Sequence, residues 1–134
     1  MKIQQSQENY LETIYMLKKR NGFVRSVDVA HELEYTKASV SVAMKSLREA
    51  GYVTVDTDGG ISLTELGLIV AQSMYERHEV IADVLISLGV SPETAYEDSC
   101  KIEHVLSEET FIKIKEYLEK IRELKVEDDK EVLS

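Results

Sequence analysis

Apolar residues along this chain recur first at helical spacing, then briefly at strand spacing, then again at helical spacing. Between Ser6 and Lys19, Tyr10, Ile14 and Leu17 fall on one face with Leu11 and Tyr15 beside them, the rhythm of an amphipathic helix. Ser6 is placed to cap this helix and Asn21-Gly22 to stop it. Ser26 then opens a short helix over VDVAHEL, with Val27, Ala30 and Leu33 as its apolar positions. After a break at Glu34-Tyr35-Thr36, the run KASVSVAMKSLREA turns Val40, Met44 and Leu47 to one side, and Gly51 ends it. GYVTVDTDGGISLT alternates apolar and polar residues around Asp58-Gly59-Gly60, which predicts a β-hairpin.

The second half reads as helix throughout. Thr64 caps a long helix from about Glu65 to Leu88, and Gly89 stops it. Ser91-Pro92-Glu93 starts the next, with proline in the first turn, where its missing N–H costs nothing. That helix is expected to carry Cys100, Glu103 and His104. Ser107 with Glu108 and Glu109 begins a last helix to about Leu124, after which the charged tail VEDDKEVLS is expected to fray. The expected fold is mainly α: a winged helix-turn-helix over residues 1–64, then an all-helical domain over residues 65–134.

Charge changes this picture more than overall composition does. The chain of 134 residues has a net charge of −9, which by itself argues against nucleic acid. Its distribution argues otherwise: residues 1–64 hold eight basic and eight acidic side chains, and residues 65–134 hold eight basic and seventeen acidic ones. The neutral half can meet DNA if its basic groups share a face. A single cysteine excludes an internal disulfide framework and fits a reducing cytosol. No segment approaches the roughly 20 apolar residues that span a bilayer, and MKIQQSQENY lacks the apolar run of a signal peptide. The expectation is a soluble, cytoplasmic protein without membrane partners.

In a winged helix-turn-helix the second helix of the motif enters the major groove and its early exposed side chains meet base edges. Here those are Thr36, Lys37, Ser39, Ser41 and Lys45, short hydroxyls and ammonium groups suited to bases and phosphates. Arg25 is the candidate phosphate clamp, with Arg48 a lesser one, and the acidic wing adds little attraction. Helix-helix-hairpin units also serve as protein-protein modules, so the pattern alone leaves both readings open.

Cys100, Glu103 and His104 span a helical sector of about 100°, close enough for one metal ion to meet all three. Thiolate, imidazole and carboxylate together suit Fe²⁺, Co²⁺, Ni²⁺ or Zn²⁺, with Mn²⁺ less favoured by sulfur. His78 lies on the preceding long helix, and Asn9 and Glu12 form a pair of oxygen donors on the first one, so that a site bridging them would fasten one half to the other. Each residue also has an ordinary reading: a lone cysteine as a small buried hydrophobe, His78 paired with Glu79, Glu12 solvated or paired with a lysine.

Taken together, ENYLETIYML (8–17), VRSVDVAHELEYTKASVSVAMKSLREAGYV (24–53), the wing into LTELG (63–67), YERHEVI (75–81) and CKIEHVLS (100–107) resemble a known family. It is the family of metal-dependent repressors that includes the diphtheria toxin repressor and the manganese transport regulator. The resemblance implies a homodimer that binds a divalent metal and then a double-stranded DNA operator, repressing metal-homeostasis genes. Carried over residue by residue, it implies a metal set of Asn9, Glu12, His78, Cys100, Glu103 and His104. Asn9 stands where the manganese branch has aspartate and the iron branch methionine; Cys100 matches the iron branch, whereas the manganese branch has glutamate there. Ala82 and Tyr96 fall where the iron branch has two ligands of a second site. Fe²⁺ is therefore the favoured cation and Mn²⁺ the next, with Co²⁺, Ni²⁺ or Zn²⁺ accepted in vitro. No nucleophile motif or phosphate-binding glycine loop suggests an enzyme or a small organic substrate. The alternative is a winged-helix regulator whose C-terminal half only dimerises and senses no metal.

Overall fold

A computed structural model describes residues 3–133 of the chain, with side chains described to residue 127. The element order is α1 (Gln5–Asn21), α2 (Ser26–Leu33), α3 (Lys37–Glu49), β1 (Val53–Val55), β2 (Ile61–Leu63), α4 (Glu65–Ser87), α5 (Pro92–Ile102) and α6 (Glu108–Leu133). The protein is thus mostly helical, with one small antiparallel sheet. Two compact units divide it, one ending at Tyr75 and the other starting at Glu76, so α4 contributes to both.

The first unit is a winged helix-turn-helix. Its core gathers Leu11, Ile14 and Leu17 of α1, Val29 and Ala30 of α2, and Val40, Met44 and Leu47 of α3, with Val53 and Ile61 from the wing. The α3 stripe is the one its spacing predicts. In α2 the spacing misleads: Val27 is half exposed, and Val29 packs inward beside Ala30 instead. A helix of eight residues is barely two turns long, so its burial follows the tilt set by its neighbours rather than its own periodicity.

Local hydrogen bonds define the ends. Gln4, not Ser6, caps α1, and Gly22 closes it in the left-handed conformation at φ 76°. Arg25, not Ser26, caps α2: its backbone N–H donates to Asp28 Oδ2 at 2.8 Å. The break between α2 and α3 is made by Glu34 at φ 58°, a left-handed conformation adopted by a non-glycine residue. Tyr35 then packs its ring edgewise on buried Tyr10, 5.9 Å between centroids. Burial first, and then the neighbouring Tyr35 phenol, raise the Tyr10 hydroxyl above the ordinary tyrosine pKa.

In the wing Val53 pairs with Leu63, Thr54 with Ser62 and Val55 with Ile61. The turn between them is organised by Asp56, whose Oδ1 accepts from the N–H groups of Asp58 at 2.9 Å and Gly60 at 2.8 Å. Thr64 does cap α4. Its Oγ1 accepts from the Gly67 N–H at 3.1 Å and donates to the Gly51 carbonyl at 2.6 Å.

In the second unit, Val80 and Val84 of α4 pack on Phe111, Ile114 and Leu118 of α6. Charged pairs stitch the same two helices, with Arg122 donating to Asp83 at 2.6 Å and Lys115 to Glu76. The Glu76 carboxylate raises the Lys115 ammonium above the ordinary lysine value. Two expectations are corrected here. The last helix does not end at Leu124: α6 runs on to Leu133 through a segment with neither glycine nor proline to stop it. And α5 ends at Ile102, so Glu103 is its cap residue and His104 lies in the turn beyond.

Candidate functional site

Within the second unit, His78 of α4, Cys100 of α5 and Glu103 at the end of α5 converge. One ligand atom from each lies within 4.8 Å of the others. Glu103 Oε2 is 3.1 Å from His78 Nδ1, and Cys100 Sγ is 3.7 Å from the same nitrogen. The other carboxylate oxygen, Oε1, sits 3.3 Å from His104 Nε2. Glu103 is therefore the hub, with one oxygen toward each imidazole. This differs from a single helical face presenting Cys100, Glu103 and His104 to one ion: the carboxylate stands between the thiol side and His104, because the helix has already given way to a turn. Glu103 and His78 are buried, at 1% and 7% exposed, whereas the Cys100 residue is exposed. A thiol, an imidazole and a carboxylate brought together with two of them out of water form a donor set that fits a divalent transition metal.

Two residues that hold His78 carry no obvious signal in the sequence. Ser99 is fully buried, its Oγ 2.9 Å from His78 Nδ1 and donating at 3.1 Å to the Tyr96 carbonyl. The Tyr96 ring stacks on the imidazole, 5.6 Å between centroids and 21° between planes. Face and edge of His78 are both engaged, which restricts the ring to one orientation.

A third is Arg77, 8% exposed. Its Nη1 donates to the carbonyls of Glu103 at 3.2 Å and Leu106 at 2.8 Å, and its Nη2 to Glu108 Oε2 at 2.9 Å. The guanidinium also lies over the Phe111 ring, 5.1 Å from its centroid. One side chain thus pins the turn that presents Glu103 and His104. Arg77→Lys keeps the charge but not the fork. It is expected to lower stability by about 2–3 kcal/mol, since hydrogen bonds to charged groups contribute about 1.5–3 kcal/mol each. Urea unfolding followed by circular dichroism checks this; a loss below about 0.5 kcal/mol would show that the turn holds itself.

Asn9 and Glu12 lie on α1 in the first unit, Asn9 partly exposed and Glu12 buried at 4% exposed. Of the candidate DNA contacts, Arg25, Thr36, Lys37, Ser39, Ser41 and Lys45 are all exposed. Two of them already serve the helix. Thr36 Oγ1 accepts from the Ser39 N–H at 3.1 Å and donates to Ser39 Oγ at 2.9 Å, capping α3. Arg25 lies over the Phe23 ring, 5.0 Å from its centroid, at the edge of the same unit.

Residues 2–61 match the family described as iron dependent repressor, N-terminal DNA binding domain, and residues 64–129 match its metal binding and dimerisation domain. The chain belongs to the iron-dependent repressor family. Iron-dependent repressors are metal-dependent transcriptional regulators, not enzymes, and this chain carries both of the family's domains. It is 36% identical over 121 residues to an HTH-type transcriptional regulator of Methanocaldococcus jannaschii, covering 89% of this chain and 97% of that one. It is also 30% identical over 129 residues to the HTH-type transcriptional regulator MntR of Shouchella clausii, covering 95% and 90%. Among solved structures, the manganese regulator SloR superposes with a TM-score of 0.75 at 27% identity. That match covers 84% of this chain and 53% of SloR, so the chain spans about half the length of that relative. Among the described residues no helix is long and apolar enough to cross a membrane.

Proposed function

We propose that this protein is a cytoplasmic, dimeric repressor that binds a double-stranded DNA operator when loaded with a divalent cation, Fe²⁺ in preference to Mn²⁺, and controls metal-homeostasis genes. The observation that carries this reading is the convergence of His78, Cys100 and Glu103 in the unit of the metal-binding family match. His104, against the other oxygen of Glu103, completes the set within that unit. Asn9 and Glu12 are assigned to it on the resemblance alone. Cys100 supplies the sulfur that favours Fe²⁺ or Co²⁺ over Mn²⁺. Bound here, the cation would supply positive charge beside the Cys100 sulfur and the Glu103 carboxylate. The residues around them do the positioning: Arg77 holds the turn, and Ser99 and Tyr96 hold His78.

In the first unit Lys37, Ser41 and Lys45 face solvent from α3 and would meet bases and phosphates, with Arg25 as the phosphate clamp. Two copies place two such helices on successive major grooves, about 34 Å apart. Because the cation favours the DNA-competent state, DNA tightens cation binding by the same factor, typically about 5- to 150-fold. Anaerobic titration with Fe²⁺, Mn²⁺, Co²⁺ and Zn²⁺, read as binding to duplexes enriched from a random pool, tests this. A rise of that size with Fe²⁺ or Mn²⁺ is expected, and binding indifferent to metal would overturn the reading. In the same assay Cys100→Glu is expected to move the Mn²⁺/Fe²⁺ activation ratio toward Mn²⁺; an unchanged ratio removes Cys100 from selectivity.

A further inference from the structure

The outward face of α3 is apolar at its centre. At about 100° per residue, Ala38 and Val42 point directly away from the buried Val40, Met44 and Leu47 stripe, one turn apart. Val42 is 72% exposed, as much as any large hydrophobic residue in the described chain, and Ala38 is exposed beside it. Lone exposed valines on protein surfaces are ordinary. This one is not on an ordinary surface. Lys45, less than one turn on, and Lys37, at the start of the helix, lie to one side of it as exposed cations complementary to a phosphate backbone, and Ser41 adjoins it with a hydroxyl able to donate or accept.

On that face only Lys45 can grip a base edge with more than one hydrogen bond, and then at guanine. Among Ala38, Ser41, Val42 and Lys45 there is no amide and no guanidinium to grip adenine or guanine. The single apolar feature of the major groove is the C5-methyl group of thymine, and apolar side chains read it by contact. We infer that Val42 is a specificity-determining residue, packing on a thymine methyl in each operator half-site, with Ala38 allowing the close approach. This rests on the proposed repressor function.

The full chain, loaded with Mn²⁺, is used to enrich duplexes from a randomised pool, and each thymine of the enriched sequence is then replaced in turn by uracil. Uracil keeps every hydrogen-bonding group and lacks only the methyl. At one thymine per half-site the replacement is expected to weaken binding about fourfold, the effect of returning one methyl-sized apolar contact to water. Val42→Ala, at an exposed helical position where the fold is unaffected, is expected to bind the thymine and uracil duplexes equally. A flat uracil series on an enriched duplex would overturn the role of Val42 while leaving metal-activated DNA binding intact. So would an undiminished thymine preference in Val42→Ala. Failure to enrich any duplex would overturn the repressor reading and this inference with it.

Discussion

Glu103→Gln is expected to abolish metal loading while leaving the metal-free fold in place. Glutamine matches the buried glutamate in shape, so the packing around the hub survives, but its neutral amide cannot offset the charge of a cation. Removing one partner from a buried charged cluster costs about 3–5 kcal/mol, which is more than about a hundredfold in affinity. The measurement is thermal. In the unsubstituted protein, Mn²⁺ at a hundred times its Kd should add about 2.7 kcal/mol of stability, roughly 10 °C in Tm for a chain of this size. The variant should show a shift within about 1 °C of zero at the same Mn²⁺ concentration, with an unchanged metal-free melt. A full metal-induced shift in Glu103→Gln would mean that the carboxylate is not a ligand.

Gly67→Ala is expected to destabilise the first unit by about 3 kcal/mol or more, although alanine is the better helix former. A Cβ built at Gly67 would lie 2.0 Å from the Tyr52 carbonyl oxygen and 3.0 Å from its carbonyl carbon. Both are backbone atoms, and the same oxygen already accepts from the Thr64 N–H at 3.0 Å. Nothing flexible can yield, so the first turn of α4 must leave the wing. Helix propensity favours alanine by about 1 kcal/mol. Overpacking ordinarily costs about 1–3 kcal/mol and more where backbone must move, and here the Thr64 cap is strained as well. Urea unfolding of the full chain decides the sign: a variant as stable as the parent, or more so, would show that α4 can shift at no cost.

Much of the fold was legible because its signals act over a few residues. The α3 stripe of Val40, Met44 and Leu47, the left-handed glycines at 22 and 89, the Thr64 cap and the Pro92 start all depend on neighbours within one or two turns. The misreadings have the same origin in reverse. Val27 looks inward by spacing and faces out, since two turns of helix are oriented by what they pack on. The charged tail looks weak, yet no residue in it stops a helix.

Residue types and family resemblance nominated Asn9, Glu12, His78, Cys100, Glu103 and His104 as a set. Linear order by itself determined which chemistries were on offer: a thiol, imidazoles and carboxylates in an acidic half, and a lysine-flanked helix in a neutral one. Only the tertiary structure decided how they meet. Glu103 turns one oxygen to each histidine because α5 ends one residue before it. That turn keeps its shape through Arg77, whose three polar partners lie 26, 29 and 31 residues further along the chain. A guanidinium reaches a carbonyl by distance in space, and no periodicity in the sequence encodes that distance.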